Sequence, residues 1–310
     1  LLAGMAMTDF SKVAVLMGGW SAEREVSLNS GQAVLDALLR QGVNAIGIDV
    51  DKNICERLKQ QQVSHVFNMM HGRGGEDGVI QGVLDVLKIP YTGSGVLGSA
   101  LSMDKMRCKQ LWLGLSLPTP EYKILENEDD CEQALQNLGL PLMIKPVLEG
   151  SSIGISKVKS AQQMLPAWQM AQACGGTIMA EKFIEGEEYT AAILADQVLP
   201  MIRLETHNDF YDYQAKYISN DTRYVCPCGL SEETEKQLGK LMMQAFDAVM
   251  AKNWGRVDFM IDKHNKPWLI EVNTVPGMTD HSLVPMAGRE AGYSFDELVM
   301  NILQGAELHD

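Results

Sequence analysis

Two periods of apolar and polar positions alternate along the first third of the chain. Lys12–Met17 is a short apolar run that enters Gly18-Gly-Trp-Ser-Ala-Glu, and Ser30–Arg40 carries apolar residues at helical spacing before stopping at Gly42. Asn44–Val50 reads as a second strand, and a further helix leads to a third, Ser64–Met70. Strands alternating with helices are the pattern of a parallel sheet flanked by helices, so 1–103 is expected to be an α/β domain.

The pattern then changes. Met103–Lys109 opens a helix that runs to about Gly114, and Leu117-Pro-Thr-Pro reads as a rigid connector. Leu142–Pro146 and Ile155–Val158 are expected strands around Glu149–Gly154. A helix over Ala161–Cys174 and a strand over Gly176–Phe183 complete a small α+β unit, 104–188. In 189–310, apolar strands flank a long polar and aromatic stretch, His207–Tyr224. A helix led by Ser231 follows, with Leu238, Leu241, Met242, Ala245, Phe246, Val249 and Met250 as a continuous apolar stripe whose methionines read as core. Gly255–Asp262 and Trp268–Asn273 read as a hairpin around Lys263-His-Asn-Lys-Pro, and Ser294-Phe-Asp-Glu297 is a capping box that starts the last helix.

Composition narrows the field. The 310 residues, 46% hydrophobic and 21% charged, are enough for a sizeable core and two or three domains. A formal charge of −14 opposes a general nucleic-acid or anionic-membrane surface. The six cysteines, Cys55, Cys108, Cys131, Cys174, Cys226 and Cys228, are scattered and read as reduced cytoplasmic thiols; Cys226-Pro-Cys228 lacks the second pair of a zinc site. No apolar run reaches the length of a membrane span and no export signal is evident, while Leu1–Ala6 before Met7 reads as an appended remnant.

The candidate chemistry is densest on the late hairpin. Strand side chains alternate faces, so Glu271 and Asn273 point the same way and the Asp258 strand lies beside them, although the register is open. Such a set of hard oxygens suits Mg2+ completed by substrate phosphates; by itself the pattern is also that of two solvent-facing carboxylates. Gly150-Ser-Ser-Ile-Gly154 joins two strands and so is not a Walker A loop, yet its amides, the Ser151 and Ser152 hydroxyls and Lys145 could cradle a phosphate. It could equally be a structural hairpin loop. Met179–Lys182 could present backbone groups to an adenine edge around Glu181 and Lys182, with Glu188 accepting from ribose hydroxyls; an acidic connector is the alternative. Arg256 and the Gly277 N–H supply the parts of an oxyanion hole, or of a routine ion pair and turn. Glu23 and His71 follow apolar strands, where α/β sheets bind ligands. Gly18-Gly-Trp-Ser-Ala-Glu fails the G-x-G-x-x-G fingerprint, so a nicotinamide cofactor is not supported.

The order of these segments resembles the ATP-grasp superfamily, and their wording resembles its D-alanine–D-alanine ligase family over nearly the whole chain. The resemblance rests on Gly18-Gly-x-Ser-Ala-Glu-Arg-Glu-Val-Ser, His71-Gly-Arg-Gly-Gly-Glu-Asp-Gly, Pro90-Tyr-Thr-Gly-Ser-Gly and Met103-Asp-Lys. It continues through Glu149-Gly-Ser-Ser, Tyr211-Asp-Tyr-x-Ala-Lys-Tyr, Gly255-Arg-Val-Asp and Glu271-Val-Asn-Thr-x-Pro-Gly-Met-Thr. Trp20 stands where the resemblance leads one to expect Thr, and Val147-Leu148 where it leads one to expect Ser-Arg. The resemblance implies ligation of two D-alanines with ATP through an acyl phosphate, for peptidoglycan precursors; the alternatives are another ATP-grasp carboxylate–amine ligase and a non-catalytic nucleotide-binding regulator. It implies Asp258, Glu271 and Asn273 as ligands of Mg2+ or Mn2+, and Lys105, Lys145, Glu149, Gly150, Ser151, Ser152, Glu181, Lys182, Ile184, Glu188 and Lys216 as ATP contacts. Glu23 would bind the first substrate's ammonium, with Ser151 and Tyr217 joined to it and His71 nearby. Arg256 and Gly277 would stabilise the oxyanion, and Ser282 and Leu283 would receive the second carboxylate. The stretch His207–Tyr224 would close over the site. A cytoplasmic homodimer without nucleic-acid or membrane partners is expected.

Overall fold

The computed structural model describes residues 10–150, 154–205 and 223–309. Three sheets organise them. The first has the parallel order β2-β1-β3, from Val13–Met17 (β1), Ala45–Asp49 (β2) and His65–Asn68 (β3). All five residues of β1 are buried, as expected for the inner strand of a sheet covered on both faces. Helices α1 (Arg24–Arg40), α2 (Ile54–Gln60), α3 (Val79–Leu87) and α4 (Val96–Met103) follow its strands. Neither α3 nor α4 is among the expected elements, although α3 carries Ile80, Val83, Leu84 and Leu87 at helical spacing. The buried residues of α4 are Gly98, Ser99 and Ser102, so its packed face carries no apolar stripe.

Helix α5 (Lys105–Gly114) begins one residue after α4, capped by Asp104, whose carboxylate accepts from the Arg107 N–H. The second sheet, β4-β7-β5-β6, comprises Tyr122–Leu125 (β4), Leu142–Pro146 (β5), Ser156–Val158 (β6) and Ile178–Lys182 (β7), all antiparallel. Helices α6 (Glu128–Leu138) and α7 (Met164–Gln172) cover one face of it, closing a core around Trp168, Ile144 and Ala180.

The third sheet is antiparallel, built on β8 (Gly186–Leu194), β9 (Gln197–Val198), β10 (Ile202–Glu205), β11 (Arg223–Val225), β12 (Trp254–Asp262) and β13 (Pro267–Asn273). The chain changes sheet at 183–185, so the expected boundary at 188–189 falls within β8. Helix α8 (Glu232–Ala248) lays Leu238, Met242, Ala245 and Phe246 on Val257, Phe259 and Val272. Met250 departs from the expected stripe: the helix stops at Ala248, Met250 takes a φ of 58°, and its side chain is half exposed. Helices α9 (Leu283–Glu290) and α10 (Phe295–Gln304) return to α1 and β1, so Leu283, Val284, Leu298 and Ile302 share a core with Val13, Val15 and Val34. The capping box at Ser294 and Glu297 is formed.

Candidate functional site

The hairpin β12–β13 fixes the register that the sequence left open. Asp258 lies opposite Glu271 and Arg256 opposite Asn273, so all four side chains share one face, while Val257, Phe259 and Val272 fill the core behind. Asp258 is the hub of this face. It accepts both arms of Arg256 (Nε 2.8 Å, Nη2 2.7 Å), the Thr190 hydroxyl of β8 at 2.6 Å and the Asn273 amide at 3.0 Å. Glu271 meets Lys105 Nζ at 3.1 Å, and the same ammonium donates to the Glu149 carbonyl at 2.8 Å. Burial alone would lower the Lys105 pKa, but the Glu271 carboxylate outweighs it and holds the ammonium above its ordinary range.

A cavity of about 330 Å³ opens in front of this face, lined among others by Glu23, His71, Glu76, Arg256, Glu271 and Gly277. Glu23 is the N-cap residue of α1, and the Ser21 hydroxyl accepts its N–H at 3.2 Å. Glycines make room for its carboxylate: a Cβ on Gly72 would lie 2.7 Å from Glu23 Oε2 and one on Gly150 2.9 Å from it. Gly72 also has a φ of 67°, which a side chain would strain. His71 is buried, which lowers its pKa and keeps the ring neutral. Its Nε2 has no partner among the described residues.

On the far wall, Gly277 precedes a turn in which the Ser282 hydroxyl accepts the Thr279 N–H at 2.9 Å and the Ser282 N–H is spent on the Thr279 carbonyl. Leu283 opens α9, so its N–H is one of those that no intrahelical carbonyl reaches. Both line the cavity.

The expected nucleotide contacts lie along α5, β5 and β7, with one correction. Glu181 does not present its backbone to a ligand, because β7 is an inner strand paired on both sides and its ladder bonds continue to Phe183; Ile184, half buried, begins the connector. The Lys145 ammonium is buried on Glu181 Oε1 at 2.7 Å. Burial would push Glu181 up, but Lys109 and Lys145 outweigh it and hold the carboxyl below its ordinary range. Glu149 Oε1 accepts from Arg73 at 2.8 Å. Lys182 is exposed, and Glu188 is half buried on β8. Ser151, Ser152, Lys216 and Tyr217 lie outside the described residues. Trp20 is exposed, with its ring against Gly74, where a Cβ would collide with it.

Two residues of the site carry no sequence signal beyond their neighbours. Glu76, in the glycine-rich segment after β3, accepts the Gly72 N–H at 2.7 Å and the Val275 N–H at 3.2 Å, bridging the first sheet to the loop after β13. Burial first, and then the Glu23 carboxylate, push it up to about 8. Lys109, one turn beyond Lys105 on α5, is fully buried and paired with Glu181.

The donor set fits a hard divalent cation. Two carboxylates and an amide stand on adjoining strands of one face, with Asn273 bonded to Asp258. Among the described residues no three His, Cys, Asp or Glu side chains gather as a metal site; the third donor here is an amide.

Comparison with known proteins places this geometry. Residues 55–94 match the family D-ala D-ala ligase N-terminus, and residues 111–304 match D-ala D-ala ligase C-terminus. The D-alanine–D-alanine ligase of Nitrosococcus oceani is 56% identical over 95% of this chain and 93% of its own length. That of Pseudomonas fluorescens is 54% identical over 98% and 94%. Among solved structures, the D-alanine–D-alanine ligase of Bacillus anthracis superposes with a TM-score of 0.84 at 31% identity, covering 95% of this chain and 96% of that one. The same protein complexed with ATP gives 0.83 at 28% identity, with the same coverage. The chain belongs to the D-alanine–D-alanine ligase family, with an ATP-grasp architecture.

Proposed function

We propose that this chain joins two D-alanines at the expense of ATP, releasing ADP and phosphate, and so supplies D-alanyl-D-alanine for peptidoglycan precursors. The observation that carries the reading is one cavity with Glu23 on one wall and Arg256, Glu271 and Asn273 with Lys105 on another, Asp258 bonded to Arg256 and Asn273 on the same strand face. The first wall suits an ammonium and the second a phosphate chain with its cation. Family membership supports the same reading.

A carboxylate is a poor acyl electrophile, so the first D-alanine is phosphorylated on its carboxylate by ATP. The free amine of the second then attacks the carbonyl carbon, and phosphate leaves as the peptide bond forms. Glu23 holds the first ammonium, with the buried neutral His71 beside it. Arg256 and the Gly277 N–H meet the negative charge that develops on the carbonyl oxygen, and the Ser282 hydroxyl and Leu283 N–H receive the second carboxylate. The ATP-dependent reaction implies a divalent cation; Asp258, Glu271 and Asn273 would hold it, as Mg2+ or Mn2+, and when bound it neutralises phosphate charge. Lys105, Lys145, Glu149, Gly150, Ser151, Ser152, Glu181, Lys182, Ile184, Glu188 and Lys216 complete the nucleotide side of the proposal, and a role for Tyr217 with Ser151 and Glu23 is part of it. We read the protein as a cytoplasmic homodimer; no described helix is long and apolar enough to cross a membrane.

The test is coupled detection of ADP with Mg2+ and D-alanine, L-alanine or no amino acid, with mass spectrometry of the product. ADP release that depends on D-alanine and matches the dipeptide in amount is expected. Nucleotide binding without such turnover would sink the reading.

A further inference from the structure

Helix α5 carries two buried lysines one turn apart, each spent on a different carboxylate. Lys105 meets Glu271 on β13, and Lys109 meets Glu181 on β7. The Lys109 ammonium also donates to the Thr119 hydroxyl at 2.7 Å and the Pro120 carbonyl at 3.2 Å. Thr119 in turn donates to the Leu269 carbonyl at 2.9 Å, and the Leu269 N–H donates to the Pro118 carbonyl at 2.8 Å. A continuous polar path therefore runs from Glu181, on an inner strand of the second sheet, to the strand of the third sheet that carries Glu271.

The charges along this path do not balance. Lys109, Lys145 and Glu181 are all buried, and two ammoniums share one carboxylate. Lys145 and Glu181 alone would make a neutral buried pair, so pairing does not account for Lys109; a surplus buried cation is costly unless an anion stands beside it. Burial lowers the Lys109 pKa to about 8, with Glu181 opposing the shift and Lys145 adding to it. The centroid of the Tyr122 ring lies 5.8 Å from the Lys109 ammonium.

We propose that Lys109 is a positioning residue for the nucleotide. It fixes the Glu181 carboxylate against Lys145, adds the positive charge that the phosphate chain balances, and ties this subsite to β13 through Thr119. The inference rests on the reading of Lys145 and Glu181 as nucleotide contacts.

The experiment compares full-length Lys109→Met, Thr119→Val and Lys145→Met proteins with the parent by ADP calorimetry, KM for ATP and for D-alanine, kcat and thermal midpoint. Lys109→Met should weaken ADP binding and raise the ATP KM by about tenfold or more, with the D-alanine KM within about twofold. Thr119→Val keeps the Lys109–Glu181 pair and cuts the path to Leu269, so about a threefold loss of ADP affinity is expected. A lowered thermal midpoint with parental ADP affinity in either folded variant would make the role merely structural and overturn the proposal. If Lys109→Met does not fold, Thr119→Val decides. Parental ADP affinity in Lys145→Met would instead remove the nucleotide reading itself, whereas a loss there alone would remove only the role of Lys109.

Discussion

Asp258 and Glu271 face each other across the β12–β13 hairpin, and each is held by a cation from its own side: Arg256 from two residues upstream, Lys105 from the start of α5. Two carboxylates so close would repel, and the two cations set their separation before any substrate arrives. Glu271→Gln removes one negative charge from a site that manages phosphate, and leaves Lys105 without its counter-ion. Turnover should fall by roughly a hundredfold or more, since metal-assisted charge stabilisation is worth several kcal/mol. Steady-state kinetics alongside circular dichroism would check this; parental turnover in a folded variant would release Glu271 from its role.

Arg256→Ala acts on the same hub from the other side. It deletes the proposed oxyanion donor and the two-armed partner of Asp258, so kcat should drop by about a hundredfold to a thousandfold, or roughly 3–4 kcal/mol. Arg256→Lys should recover only a small part, because an ammonium cannot reproduce the planar fork that spans both Asp258 oxygens. Equal rates for the Lys variant and the parent would show that the fork is dispensable.

Glu76 predicts a pH dependence of stability. Its folded pKa of about 8 stands above the ordinary 4.5, so between these values the folded protein keeps a proton that the unfolded chain has lost. This contribution is fully present below pH 4.5 and is lost as pH rises through 8. Glu76→Gln carries no such proton. Its unfolding free energy relative to the parent should therefore rise from pH 6 to pH 8.5, whatever its offset at pH 6 from the lost second acceptor. Denaturant titrations at both pH values provide the comparison, and parallel pH profiles would contradict the assigned ionisation.

Gly98 predicts a purely structural cost. Helix α4 packs so closely on the 250–251 backbone that a Cβ at Gly98 would press into the Met250 carbonyl oxygen, and backbone has less room to yield than a side-chain tip. Gly98→Ala should lower stability by about 1–3 kcal/mol, despite the better helix propensity of Ala. An unchanged or raised thermal midpoint would show that the two segments can part without cost.

These positions differ in how far the sequence reveals them. The hairpin is legible because period-two alternation and a polar turn are local, and the shared face of Glu271 and Asn273 follows from that alternation. Its register is not, because it depends on the bulge between Asp258 and Phe259 and on pairing with β8. Glu23 and His71 are legible through the rule that ligands gather beyond the carboxyl ends of strands. Glu76 and Lys109 are not among the expected site residues; contacts between distant segments bring Glu76 to Val275 and bury Lys109 on Glu181. Glu181 shows the reverse error: its strand is evident, but its inner place in the sheet, which commits the backbone and turns the carboxylate to two lysines, is a property of topology. Helix α4 stays hidden because its packed face is made of glycine and serine.

The return of α9 and α10 to the first sheet also orders events in time. A ribosome delivers β1 and α1 early and the helices that cover them last, so the first apolar core stays incomplete while the second and third sheets are being made. The wall that carries Glu23 therefore gains its final support only when Leu298 and Ile302 dock beside Val34. Half-made chains would hold the Glu23 wall without a settled geometry, and the cavity would take its shape only after the helices from the far end of the fold have docked.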